Sequence, residues 1–264
     1  MRRYPRGEMH GPWTISTPVT IIAAYTAAIA LSEIILVNLS VILGTVCHSL
    51  LLFALLWHFG VAEHVPSRRM LLPLALLPLL RILSLTMPVQ DAPQIYWHAL
   101  AGLPLLLAAG LAAHALEMSW AELGLGRAPW WKQAVIALTG IPLGFVSFWL
   151  LDPPPLSTSL EWPEAAVGSL ILLVCVGLPE ELIFRGLIQR TAGDLFPRAA
   201  FVYSSLLFAI MITGSLLWEY VVFAGLVGLF FGGCVRRTGS LWGVILAHSA
   251  ISIETIVLLP FLLT

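Results

Sequence analysis

The chain is built from a succession of apolar runs, each about the length of one membrane crossing and separated by short polar breaks. Roughly 20 apolar residues span a bilayer core about 30 Å thick. By that ruler nine runs qualify, some short: residues 18–37, 40–60, 70–87, 94–116, 132–151, 164–187, 200–214, 219–235 and 240–262. Only a turn at Asn38 divides the first two, and fusing them would leave eight. Composition points the same way, with 59% hydrophobic and 10% charged residues, against about 25% charged in soluble domains. The fold expected is an all-α, polytopic integral membrane bundle of 8–9 transmembrane helices, forming one membrane domain over residues 1–264. The run after Pro18 is too long for a signal-peptide core and lacks a small-residue cleavage site, so it reads as an uncleaved first span.

Several function classes drop out. A net charge of −1 provides no basic patch for gripping phosphates, so no nucleic-acid partner is expected. Cys47, Cys175 and Cys234 lie far apart in apolar runs and read as small buried hydrophobes. Neither CxxC nor HExxH occurs, and no metal site or cofactor is expected.

Basic residues orient the bundle. Arg2, Arg3 and Arg6, then Arg68 and Arg69, then Arg127 and Lys132, then Arg185, Arg190 and Arg198, and finally Arg236 and Arg237 fall in alternate connections. The opposite loops, TMPVQDAPQ and LDPPPLSTSLEWPE, carry no Lys or Arg. The asymmetry predicts a cytoplasmic N-terminus, an odd number of spans and a C-terminus outside. Arg81 is the exception, inside a span. Between residues 116 and 133, Trp120, Trp130, Trp131 and Lys132 suit the cytoplasmic interface, as an anchored loop or a substrate gate. No convincing internal repeat supports an inverted-repeat transporter.

The chemistry concentrates in GLPEELIFRG, residues 177–186, where three charges follow an apolar run. Charged groups in a bilayer cost several kcal/mol each unless paired or hydrated. Residues four apart share a helix face, so Glu181 aligns with Arg185, whereas Glu180 is turned about 100° away and is left without that partner. A desolvated, unpaired carboxylate is suited to act as a general base on water. Pro179 removes a backbone donor and loosens the helix there. A second polar group comes from GSLWGVILAHSAIS, residues 239–252, in which Ser252 lies one turn beyond His248. His248 stands roughly 12 Å from Ser240 by helical rise and Glu180 roughly 15 Å from Arg190, which sets the two at similar depth. A polar cluster ending a helix and a packing histidine are the plain structural alternatives.

These residues resemble the CPBP family of intramembrane glutamic endopeptidases, which includes type II CAAX prenyl proteases and bacterial Abi-type proteins. The family pattern EExxxR is present as Glu180, Glu181 and Arg185. Its FxxxH is half present, with Phe208 followed by Ile212 at the histidine position, and its HxxxN appears as His248 with Ser252 where asparagine is usual. The likeness covers 164–258, with a weaker echo in WAELGLGRAPWW. It implies that Glu180 activates water, that Glu181 and Arg185 support it, and that His248 with Ser252 polarises the scissile carbonyl. The implied activity is endopeptidase cleavage of a membrane-associated peptide or protein, with the site open to the cytoplasm, in a bacterial or archaeal cell membrane. Ile212 can neither hydrogen-bond nor move a proton, which favours as alternative a catalytically inactive binding or immunity protein; a proton-coupled transporter is a third reading.

Overall fold

The structure, a computed structural model, describes residues 17–63, 65–87, 93–154 and 161–263. These residues form nine helical segments: α1 (Thr17–Asn38), α2 (Val41–Val61), α3 (Val65–Thr86), α4 (Gln94–Ala115), α5 (Trp130–Leu151), α6 (Trp162–Ala192), α7 (Ala200–Ile212), α8 (Trp218–Thr238) and α9 (Trp242–Leu263). Eight are long and apolar enough to cross a membrane. The protein is a polytopic all-α membrane bundle, as its hydropathy pattern predicts.

The count of eight arises in a different place from the one expected. α1 and α2 do not fuse, because Ser40 is extended and its hydroxyl caps the Leu43 N–H, starting a new helix. They pair as an antiparallel hairpin, with the Tyr25 hydroxyl 3.1 Å from His58 Nδ1 and Glu33 beside His48. The short element is α7, which tightens into a 3₁₀ turn at Thr213–Ser215 and stops.

α6 is the longest helix and carries the charged motif. Wider π-helical turns, Leu173–Gly177 and Leu182–Ile188, flank the short α-helical stretch Leu178–Glu181. Leu178 N–H reaches back five residues to the Leu173 carbonyl, and Gln189 N–H does the same to Phe184. Such widening is frequent at functional sites, and Pro179, without an N–H, sits at its centre. Gly177 lets α6 meet α9 closely, since a Cβ there would strike the Ser249 hydroxyl.

The outward faces are hydrocarbon, including exposed Leu31, Ile42, Phe53, Leu107, Leu226 and Leu246, the arrangement expected of surfaces that meet lipid. Most arginines gather at one end, across the turns α2–α3, α4–α5, α6–α7 and α8–α9. There Arg68 donates to the Phe59 carbonyl, Arg69 pairs with Asp194 at 3.4 Å, and Arg190 donates to the Gly239 carbonyl at 2.9 Å. Arg236 donates to the Arg198 carbonyl. Arg185 does not belong to this group: it is fully buried inside the bundle, a correction to its assignment as a loop cation. Arg2, Arg3, Arg6 and parts of both arginine-free loops lie outside the described residues.

The α4–α5 connection packs back on the core through Leu123 and through the Gly124 carbonyl, which accepts the Leu241 N–H. Trp120 and Trp130 stay exposed at its edge. Within it, Ser119 N–H and hydroxyl both donate to Glu122, which holds that carboxyl below the usual range.

Candidate functional site

Five side chains singled out in the sequence converge from two helices, α6 and α9. Glu181 and Arg185, one turn apart on α6, form an ion pair at 3.1 Å in which neither side chain is exposed. The Arg185 guanidinium also reaches the Gly228 carbonyl on α8 at 3.4 Å and lies 4.8 Å from the Phe208 ring centroid on α7. A buried cation is tolerable only when paired and solvated by protein dipoles and π faces, and Arg185 has all three. Gly228 leaves the room: a Cβ there would lie 3.4 Å from an Arg185 terminal nitrogen.

His248 on α9 sits between both acids. Its Nδ1 is 2.8 Å from Glu181 Oε1, the oxygen that also accepts from Arg185, and its Nε2 is 3.7 Å from Glu180 Oε2. The ring stands edge-on to Phe208, with centroids 6.0 Å apart. A carboxylate at Nδ1 selects the tautomer with the proton on that nitrogen. Nε2 is then the nitrogen that gains or gives a proton towards Glu180. The sequence had paired Glu181 with Arg185 alone; its bond to His248 is new. Glu180 has no contact with Arg185 within ion-pair distance and keeps a quarter of its side chain exposed, whereas His248 keeps 12%.

Glu180 and His248 open into a cavity of about 170 Å³, also lined by Phe208, Ile212, Tyr220 and Ser252. The FxxxH departure therefore matters structurally, because Ile212 presents hydrocarbon to that cavity. Thr213 does not replace the lost polar group, since its hydroxyl donates to the Ile210 carbonyl on its own helix. Tyr220, near the start of α8, does bring a phenol to the cavity wall. It was missed in the sequence because a single tyrosine at a helix start has no local pattern. A second cavity, about 250 Å³, also touches Glu180 and is lined by Ser84, Met87, Trp97 and His98 of the α3–α4 side.

A site open towards the arginine end was expected. Below Glu180, Leu182 to Gln189 is buried without a break, and the first cavity also extends along α8 to Val227 and Phe231.

A multi-pass α-helical membrane protein with an acid–histidine–arginine cluster in its interior is the class that this fold and site define. Residues 162–253, about a third of the chain, match the family model described as Type II CAAX prenyl endopeptidase Rce1-like, so that segment is similar to the family whose motifs it carries. The resemblance seen in the three motifs is borne out at that level. No curated protein and no solved structure matches the chain.

Proposed function

We propose that the protein is an intramembrane endopeptidase in which Glu180 activates water. The observation that carries this reading is the 3.7 Å gap between Glu180 Oε2 and His248 Nε2, at the edge of a cavity large enough for water and a peptide group. Glu180 takes a proton from water as the hydroxide oxygen bonds to the scissile carbonyl carbon. His248, charged with a proton on each ring nitrogen, donates its Nε2–H, and Ser252 its hydroxyl, to the oxyanion that forms. The tetrahedral intermediate then breaks its C–N bond, and Glu180 returns its proton to the leaving amine. Glu181, held by Arg185, fixes the His248 ring and stabilises its charged form throughout.

The substrate class is a membrane-associated peptide or protein in a cell membrane. A second reading, an inactive binding or immunity protein, is favoured by Ile212, which leaves one wall of the cavity without a donor. Proteoliposomes of wild type and Glu180→Gln, given a panel of membrane-inserted peptides, separate the two. Loss of the base lowers cleavage by about 10²-fold or more. Equal product from both proteins ends the glutamate mechanism, and no product from either supports the inactive reading.

A further inference from the structure

α7 has only 13 residues, a rise of about 20 Å, which is well short of the bilayer core. One end of it therefore stops inside the bundle and has to be held there. Towards the site, Ser204 donates to the Phe184 carbonyl of α6 at 2.6 Å. Phe208, one turn on, has its ring centroid 4.8 Å from the Arg185 guanidinium carbon and 6.0 Å from that of His248. Ile212, a further turn on, lines the first cavity. Towards the N-terminal helices α7 is tied at two places. The hydroxyls of Tyr203 and Thr26 of α1 are hydrogen-bonded at 2.6 Å. In its last turn, the Met211 carbonyl accepts from Arg81 of α3, also at 2.6 Å, and Arg81 donates in turn to Glu33 of α1 at 2.8 Å.

We infer that Glu33 and Arg81 are positioning residues for the site: they fix the end of α7, and through it the Phe208 ring and the Ile212 wall, against His248. The last carbonyls of a helix lack intrahelical partners and carry the negative end of its dipole, so a cation is favoured there. Glu33 is buried and Arg81 mostly so, and water screens the pair little. His48 of α2, 3.3 Å from the same Glu33 oxygen, adds the second helix to this hub. Gly214 leaves room for the guanidinium, since a Cβ there would stand 3.1 Å from one of its nitrogens. Just beyond, the chain turns through Leu216, left-handed at φ 61°, and enters α8 towards Tyr220 of the same cavity. The three N-terminal helices lie outside the segment that matches the family model, yet they set where its walls stand. A displacement near 1 Å in such a wall costs up to about 10²-fold in rate. That the pair tunes peptide cleavage rests on the endopeptidase reading; that it fixes α7 does not.

Glu33→Leu/Arg81→Met removes the tie without stranding a charge. Gly214→Ala is the gentler variant, because its methyl crowds the guanidinium and leaves both charges in place. Each full-length protein is compared with wild type by thermal midpoint, by hydrogen exchange in nanodiscs and by cleavage of membrane-inserted peptides in proteoliposomes. In the double variant the amides of residues 211–217 exchange about tenfold or more faster, while residues 183–189 and the midpoint stay close to wild type. kcat falls about tenfold or more with KM within about twofold, because a misplaced wall weakens transition-state contacts and leaves the binding surface. Gly214→Ala moves both readouts the same way by less. Ile212→Cys, labelled by a small thiol reagent with and without the tie, reads the cavity wall independently of cleavage; faster labelling without the tie is expected. Peptide mapping separates it from Cys47, Cys175 and Cys234. Wild-type exchange at 211–217 in both variants overturns the inference, and so does faster exchange with kcat or Ile212→Cys labelling unchanged. If wild type cleaves no peptide, the endopeptidase reading falls, and exchange with labelling decides the tie. If the double variant does not fold, Gly214→Ala decides alone by the same readouts.

Discussion

A buried charge cluster remote from Glu180 yields the sharpest stability prediction. Glu33 on α1 is 1% exposed, and its Oε1 accepts from Arg81 Nε on α3 at 2.8 Å, with His48 Nε2 on α2 at 3.3 Å. Arg81 also donates to the Met211 carbonyl at 2.6 Å, tying the three N-terminal helices to the end of α7. Arg81→Met removes the cation but leaves a buried carboxylate and an unsatisfied carbonyl. Breaking a buried pair from one side costs about 3–5 kcal/mol. Glu33→Leu strands the guanidinium instead and costs a similar amount. The double variant removes both charges and fills the space with hydrocarbon, which is close to neutral for such pairs. The coupling in the cycle is then about 3 kcal/mol or more, of the sign that makes the double variant better than the sum of its parts. At about 2–4 °C per kcal/mol for a chain of this size, either single change lowers the apparent midpoint by roughly 10 °C. The assay is thermal unfolding in one detergent at one scan rate, because membrane proteins often unfold irreversibly and the midpoint is then operational. Single variants within about 1 kcal/mol of wild type, or a double variant as unstable as the sum of the singles, would refute the reasoning.

The remaining predictions concern the site and one loop. Arg185→Met leaves Glu181 buried with only His248 as partner; a loss of about 3–5 kcal/mol in the same unfolding assay, together with lost cleavage, is expected, and full stability contradicts it. Tyr220→Phe removes the cavity's phenol without changing its shape, so the fold holds; kcat falls with KM unchanged if the phenol donates to the oxyanion, and Ile212→His in that background restores part of the rate. Ser119→Ala removes the hydroxyl bond to Glu122 but keeps the backbone N–H bond, so the carboxyl moves part of the way back towards the ordinary glutamate range by NMR. Because the folded carboxyl is depressed, its small contribution to loop order is present above the unfolded pKa and is lost as pH falls through the folded value.

Much of the site was legible along the chain because its parts obey helical periodicity. Glu181 pairs with Arg185 because four residues make about one turn, and Glu180 is left unpaired for the same reason. Counting residues from each helix end also levelled Glu180 with His248, which stand 3.7 Å apart. The Glu181–His248 bond escaped notice because two acids one residue apart look alike in sequence; rotation of α6 against α9 decides which oxygen meets which nitrogen. The Glu33–His48–Arg81 cluster escaped because its members lie on three helices and no short pattern joins them.

By itself the sequence determined that the chain is a membrane bundle, how its helices are spaced, and which acid would be left without a cation. Those properties follow from hydrocarbon length and from a repeat of 3.6 residues, both local quantities. Only the tertiary structure decided that His248 joins both acids and that Ile212 faces the cavity while Thr213 turns back on its own helix. It alone shows that side chains from Leu182 to Gln189 are buried without a break and that Glu180 borders two cavities, one among α3 and α4 and one among α7, α8 and α9. Packing between helices sets those features, and side-chain volumes meeting across an interface leave no periodic trace in one strand of sequence.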